Sequence, residues 1–177
     1  MRQFRFPALI ISLWLAVAAN ACAQQEMNCE NATVGGNSRF VSTNLNLRSS
    51  PSRYGKVLVT LPKGELVYEF RLIDGWSQIN VASLNVTGFV ASRYLSETCI
   101  PGGGISRQNL SRDQIVSILI ADSLASYRGN CPCPYNTDSA GRSCGRRSAY
   151  SRPGGRSPLC YRSDVSTAQI ERFRTNR

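Results

Sequence analysis

The chain has 177 residues, with 21 lysines and arginines, 11 aspartates and glutamates, and no histidine. The absence of histidine excludes a Ser-His-Asp triad, a Cys-His nucleophile pair, histidine-ligated zinc and a histidine general base. The length fits one domain with additional segments or two small domains, and seven cysteines in so short a chain favour disulfide bonds in an exported protein.

Residues 1–23 have the features of a secretory signal peptide. Two arginines precede an apolar run over 8–19, which is too short to span a bilayer, since a transmembrane helix needs about 20 apolar residues. Cleavage just before Cys22 would leave that cysteine as a lipid-anchored N-terminus, whereas cleavage after Ala23 leaves an even number of cysteines. We favour the second site. It predicts a secreted or periplasmic protein with no transmembrane span after signal removal, and lipid anchoring at Cys22 is the alternative.

Short runs of strand-forming residues, separated by turn residues, fill the next part of the chain. The runs are Phe40–Val41, Val57–Leu61, Leu66–Phe70, Trp76–Ile79 and Gly88–Val90. Because a sheet that closes on itself leaves no edge strand, we expect a small β-barrel over residues 38–96. The predicted fold class is therefore mainly β, followed by a small α-helical and irregular segment that disulfides stabilise.

Four segments have the order and spacing of a known family. They are TNLNLRSSP (43–51), LPKG (61–64), GW (75–76) and GFVASRYL (88–95). Together they resemble the bacterial SH3 (SH3b) domain, although Leu47, Ser50 and Phe89 stand where that family usually has valine, glycine and tryptophan. The resemblance implies an SH3-like barrel and a binding role in the cell envelope, with a cell-wall (peptidoglycan) peptide or an envelope protein as partner.

Aromatic side chains are the candidates for a ligand groove on such a domain, because the loops of a small barrel are free to form one. We predict ligand contacts for Tyr54, Trp76 and Tyr94, while Trp76 could instead cap the barrel. Phe70 and Phe89 belong to alternating strands and are predicted to lie in the core.

Cys29 and Cys99 lie on either side of the predicted barrel. An SH3-type barrel brings its ends close together, so we expect these two cysteines to pair with each other. The alternative is that each pairs with a cysteine of the C-terminal tail.

The composition changes at Ile100–Gly104, where a glycine-rich run predicts a flexible linker over 100–109. The remaining tail, residues 110–177, contains two predicted short helices. The first begins with a capping box of Ser111 and Gln114 and is expected to end at Gly129. The second covers 167–174 and follows an equivalent Ser-x-x-Gln box.

Four cysteines lie between the two predicted helices: Cys131, Cys133, Cys144 and Cys160. This stretch has few aliphatic residues, so cross-links are needed to hold it together. Cys131 and Cys133 are expected to point apart and to pair with Cys144 and Cys160, in either order. A four-cysteine zinc site is the less favoured alternative, because the Cys-x-Cys spacing differs from that of zinc ribbons.

Positive charge is concentrated in the tail, since residues 24–100 carry a net charge of +1 and residues 101–177 a net charge of +7. The candidates for binding a polyanion are Arg142, Arg146, Arg147, Arg152 and Arg156, which tyrosines accompany. A solvated, solubilising surface is the competing interpretation.

No catalytic residue, metal ligand or cofactor is predicted. The serines of the tail lack a histidine partner, and its five carboxylates are spread singly along the sequence. The runs CPCPYN and CGRRSAYSRPGG resemble the tails of uncharacterised exported proteobacterial proteins, which implies no activity. We therefore expect an exported, non-catalytic binding module; the alternatives are an envelope enzyme or enzyme accessory subunit, and polyanion binding by the tail.

Overall fold

The computed structural model describes Cys29, residues 35–154 and residues 157–175. The predicted signal peptide, the lipidation candidate Cys22 and Arg156 of the arginine cluster lie outside the described residues.

One antiparallel sheet forms the first half of the molecule. Its strands are β1 (Ser38–Val41), β2 (Leu45–Arg48), β3 (Val57–Leu61), β4 (Leu66–Ile73), β5 (Trp76–Val81), β6 (Val86–Ala91) and β7 (Leu95–Ser96). Their order in space is β3-β2-β6-β5-β4-β1-β7. This sheet confirms the prediction of a mainly β fold.

The sheet does not close into the predicted barrel, because the described residues contain no pairing between its two end strands, β3 and β7. The edges are protected by other means. Helix α1 (Arg112–Ala125) packs against β3, and β7 has only 2 residues. Covering an edge and keeping it short are both established ways to prevent unwanted pairing.

The two phenylalanines that were assigned to the core lie elsewhere. In β4, Val67 points inward and is fully buried, so Phe70 lies on the opposite face, next to an irregularity in the pairing with β5, and is 62% exposed. In β6, Val86 and Val90 point inward, and Phe89 is therefore outward and half-buried. The alternation of side chains between the two faces of each strand was predicted correctly, but the wrong face was taken as the buried one.

A tight hairpin joins β4 and β5. Ile73 and Trp76 are direct cross-strand partners, which leaves a loop of Asp74 and Gly75 with φ values of 46° and 79°. Positive φ at both positions matches a type I′ turn, for which Asp-Gly is a favoured sequence.

Both helices begin as predicted. The Ser111 hydroxyl accepts a hydrogen bond from the Gln114 N–H, and the Gln114 side chain accepts one from the Ser111 N–H. Helix α2 (Thr167–Thr175) follows the equivalent box of Ser166 and Gln169. Helix α1 ends at Ala125, earlier than the expected glycine. In the described part of the chain, neither helix is long and apolar enough to cross a membrane.

The glycine-rich run is not a free linker in the structure. The N–H of Gly103 donates to the carbonyl of Lys63 at 2.8 Å, and the N–H groups of Gly104 and Ile105 donate to Glu65 Oε2 at 2.9 and 3.1 Å. Glu65 is 5% exposed, and its other carboxylate oxygen accepts from the Ser83 hydroxyl. The segment is therefore bound to the sheet rather than flexible.

Sheet and helices share one hydrophobic core. Leu58 and Val59 of β3 belong to the same buried cluster as Ile115 and Ile118 of α1 and Ile170 of α2. The proposed domain boundaries remain a prediction, but the two parts of the chain are packed together and do not form separate cores.

Three disulfide bonds complete the fold. Cys29 pairs with Cys99, as expected from the SH3b resemblance. In the tail, Cys131 pairs with Cys144 and Cys133 with Cys160, which resolves the connectivity that the sequence left open. Several disulfides in one small chain indicate an oxidising, extracellular type of environment.

Candidate functional site

The Trp76 groove is a surface depression of about 440 Å³ between the β2 region, the β4–β5 turn and the end of β6. Its lining residues are Asn44, Leu45, Asn46, Arg48, Arg53, Asp74, Gly75, Trp76, Ala91, Arg93 and Tyr94. Trp76 opens β5 directly after the turn and pairs with Ala91, while a 3-10 helix over Ser92–Tyr94 carries Tyr94 to the same place. The hairpin and the end of β6 thus position both aromatic rings.

Two of the three predicted ligand contacts, Trp76 and Tyr94, lie in this groove. Tyr54 does not line it and is 81% exposed. Arg53 connects Tyr54 to the groove, because its guanidinium lies 4.7 Å from the centre of the Tyr54 ring and donates to the Tyr54 hydroxyl at 2.5 Å. Arg53 itself lines the groove.

The groove is rich in arginine, which the sequence analysis did not anticipate. Arg48, Arg53 and Arg93 line it against a single carboxylate, Asp74. Arg48 donates to the Gly55 carbonyl at 2.8 Å, and the Arg93 guanidinium lies 4.9 Å from the Tyr94 ring centre. Guanidinium groups bind carboxylates through paired hydrogen bonds, so the groove favours an anionic ligand.

A second depression, which we call the helix–sheet cavity, has a volume of about 400 Å³ and lies between the outer face of the sheet and the two helices. Phe89 of β6 is one of its walls, and Leu119 of α1 and Phe173 of α2 form others. Because it depends on how the tail packs on the sheet, no local sequence pattern indicated it. Phe89, which we had assigned to the core, points outward into this cavity.

The predicted arginine cluster is divided in the structure. Arg142 and Arg147 both bind Asp138, at 3.0 and 3.1 Å, and so organise the loop between two disulfide-bonded cysteines. Arg146 and Arg152 are exposed, and Arg156 lies outside the described residues. The cluster is therefore partly structural and is not a surface of five equivalent cations.

Asp138 has a lowered pKa. The largest cause is the hydrogen bond from the Arg142 N–H; partial desolvation opposes it, and further bonds from the Arg147 side chain, the Ala140 N–H and the Arg142 side chain add to it. Such bonds favour the charged form of a carboxyl group. Asp138 thus acts as an anionic anchor for the loop.

Asp164 is a second carboxylate that binds loop groups, and it lies next to the Cys133–Cys160 bridge. Its carboxylate accepts from the Tyr150 hydroxyl at 3.0 Å and from the N–H groups of Cys160 and Tyr161 at 2.9 and 2.8 Å. Burial of Asp164 opposes ionisation, but the hydrogen bonds outweigh it and lower the pKa of the carboxyl group. The bond to Asp164 is also the main reason why the pKa of Tyr150 is raised.

Ser148 and Ser151 of the tail interact with each other: the Ser148 hydroxyl donates to the Ser151 hydroxyl at 3.0 Å. Within residues 35–154 and 157–175, no group of three histidine, cysteine, aspartate or glutamate side chains is placed to hold a metal ion.

Comparisons with known proteins give little for this chain. No protein-family model matches it, and no curated protein does. Among solved structures there is a likeness to NlpC2 from Trichomonas vaginalis, with 16% identity and a TM-score of 0.31, over 55% of this chain and 32% of that one. The matched region thus spans about a third of the length of that protein.

Proposed function

We propose that this protein is an exported binding protein without catalytic activity, which recognises cell-wall peptides through the Trp76 groove. The observation that carries the proposal is the meeting of Trp76 and Tyr94 with three arginines in one groove. Three disulfides support export, since such bonds persist in oxidising compartments. The SH3b resemblance supports the binding role.

The chemistry of the groove suits a short peptide with free carboxylates. Aromatic rings offer an apolar surface at low cost in conformational entropy, and Tyr94 also has a hydroxyl that can hydrogen-bond. Arg53 and Arg93 are exposed at the groove, so a ligand can reach them without rearrangement of the sheet. Asp74 sits at the positive-φ turn, where it can pair with an amino group of the same peptide.

The proposal is tested by co-sedimentation of the oxidised protein, lacking residues 1–23, with purified cell-wall sacculi. We compare two double variants that each remove two positive charges: Arg53→Ala/Arg93→Ala in the groove and Arg146→Ala/Arg152→Ala in the tail. Loss of each arginine–carboxylate contact is expected to weaken binding by about tenfold, so the groove variant should stay in the supernatant. The tail variant should pellet like the original protein.

Because both double variants lose two positive charges, comparing them distinguishes recognition by the groove from attraction by the overall charge of the protein. If both variants lose binding equally and salt removes it steeply, the protein binds a polyanion through its overall charge, and the groove proposal is wrong. If the tail variant alone fails, Arg146 and Arg152 form the binding surface. If the original protein does not pellet, the groove does not bind the cell wall, and an envelope protein with an acidic segment becomes the partner to seek.

A further inference from the structure

The helix–sheet cavity is a second place where this protein can bind a ligand. It shares no lining residue with the Trp76 groove. Its volume of about 400 Å³ falls in the range of roughly 300–1,000 Å³ that small-molecule sites occupy. Such sites form preferentially where two parts of a chain pack together, as the sheet and the tail do here.

One side of the cavity is apolar. Phe89 projects from the outer face of β6, where a polar residue would be expected if that face met only water. Leu119 of α1 and Phe173 of α2 approach it from the tail, and both also pack on the hydrophobic core. These walls are rigid because each belongs to a strand or helix of the fold, so the apolar body of a ligand meets a formed surface.

The other side carries charge. The Arg107 guanidinium donates to the Leu84 carbonyl at 2.6 Å and to the Phe173 carbonyl at 3.5 Å, and it lies 5.0 Å from the Phe173 ring centre. Arg172 of α2 is exposed and forms no ion pair with the residues that the structure describes. Asp122 of α1 is the single carboxylate in the lining. The lining thus contains two guanidinium groups and one carboxylate, and Arg172 is the exposed cation among them.

We propose that the helix–sheet cavity binds a small amphipathic carboxylate, a molecule with one carboxylate and an aliphatic or aromatic body. The body packs between Phe89, Leu119 and Phe173, and the carboxylate accepts hydrogen bonds from Arg172. Arg107 lines the cavity nearby. The site depends on the packing of the tail on the sheet, and it is independent of cell-wall recognition by the Trp76 groove.

The test uses isothermal titration calorimetry of the intact oxidised protein with sodium octanoate and sodium 4-phenylbutyrate. Octylammonium chloride serves as the cation of matched apolar length. Both carboxylates are expected to bind saturably, and the ammonium ion at least tenfold more weakly. Chemical-shift changes at the amides of Phe89, Ala121 and Ala125 locate the binding.

Three variants assign the roles, with Arg112→Gln at the start of α1, outside the cavity lining, as the charge-matched control. Arg172→Gln should weaken octanoate binding by about tenfold, the loss of one charge-assisted hydrogen bond. Asp122→Asn should strengthen it about twofold to fivefold, because a repulsive charge is removed. Ala125→Trp, at an exposed position that lines the cavity, should block binding while circular dichroism shows an intact fold.

Each contrary result overturns the proposal in a recognisable way. Equal binding of octanoate and octylammonium would show an apolar site without preference for charge. Weaker octanoate binding in Asp122→Asn would show that Asp122 does not repel the carboxylate, and the charge argument for the cavity would be wrong. An unchanged affinity in Ala125→Trp places the carboxylate elsewhere, and no saturable binding of either carboxylate means that the cavity does not take this class of ligand.

Discussion

Glu65 holds Gly104 in place: its Oε2 atom accepts a hydrogen bond from the Gly104 N–H at 2.9 Å, across 39 positions of sequence. Because Glu65 is buried, loss of its carboxylate leaves the N–H groups of Gly104 and Ile105 without their acceptor. We expect Glu65→Ala to lower the free energy of unfolding by about 3 kcal/mol, as measured by urea denaturation.

Glu97→Ala is the matched control. Glu97 is an exposed carboxylate that pairs with Arg39 at 3.3 Å, and loss of a surface pair of this kind costs about 0.5 kcal/mol or less. Equal effects of the two substitutions would contradict the role of Glu65 in binding the glycine-rich run.

Substitutions at Gly102 and Gly104 separate the cost of a steric clash from the cost of a positive φ. Both have positive φ, 128° and 94°, but a Cβ on Gly102 would lie 2.6 Å from the Lys63 carbonyl oxygen, whereas a Cβ on Gly104 would meet nothing within 4 Å. Gly104→Ala should therefore cost about 1 kcal/mol from strain alone, and Gly102→Ala about 3 kcal/mol. Thermal unfolding of both variants is the measurement, and a similar loss in both would mean that the contact with Lys63 relaxes freely.

Phe40 of β1 points into the core and Phe70 of β4 points to solvent, so their substitution should have very different effects on stability. Phe40 is fully buried, so Phe40→Ala should cost about 3–5 kcal/mol. Phe70 is exposed on the outer face of β4, and Phe70→Ser should change stability by no more than about 0.5 kcal/mol. A large loss of stability in the Phe70 variant would place that ring in the core, as alternation first suggested.

Stability should fall in acid because two tail carboxylates have lowered pKa values in the folded state. Asp138 and Asp164 have pKa values below the usual 3.8, so each contributes stability that is present above about pH 4. This contribution is lost as the pH falls through the unfolded value towards the folded one. Urea midpoints from about pH 6 to pH 2.5 should show the decline, and Asp164→Asn should reduce its slope. An identical slope in that variant would exclude Asp164 as a contributor.

Removal of the Cys133–Cys160 bridge and removal of the Cys29–Cys99 bridge should affect different parts of the fold. Replacing Cys133 and Cys160 by serine opens a loop of 27 residues in a region with few aliphatics, and we expect loss of hydrogen-exchange protection over 131–164 while the sheet stays protected. Replacing Cys29 and Cys99 should lower overall stability by about 4 kcal/mol without local loss of order. Uniform loss of protection in the first variant would show that tail and sheet unfold as one unit.

Local signals in the sequence predicted those features that neighbouring residues determine. The Ser111–Gln114 and Ser166–Gln169 boxes each join residues three positions apart, and both are present in the structure. Trp76 and Tyr94 were both candidates for a ligand groove because they are aromatic, and both line the same depression.

Features that depend on packing between distant segments were not predictable in this way. The inward parity of β4 is decided by the sheet as a whole, and the burial of Glu65 depends on a glycine run far along the chain. Arg142 and Arg147 were read as one cluster with Arg146 because composition does not reveal a carboxylate, Asp138, that folds back between them.

The packing of α1 on β3 also bears on how the chain folds. The ribosome completes the sheet at β7 before it adds α1, so the β3 edge is exposed for as long as α1 is missing. Such an edge readily recruits a strand from another molecule. We therefore expect the contact between α1 and β3 to limit self-association, and chains that end before α1 should aggregate.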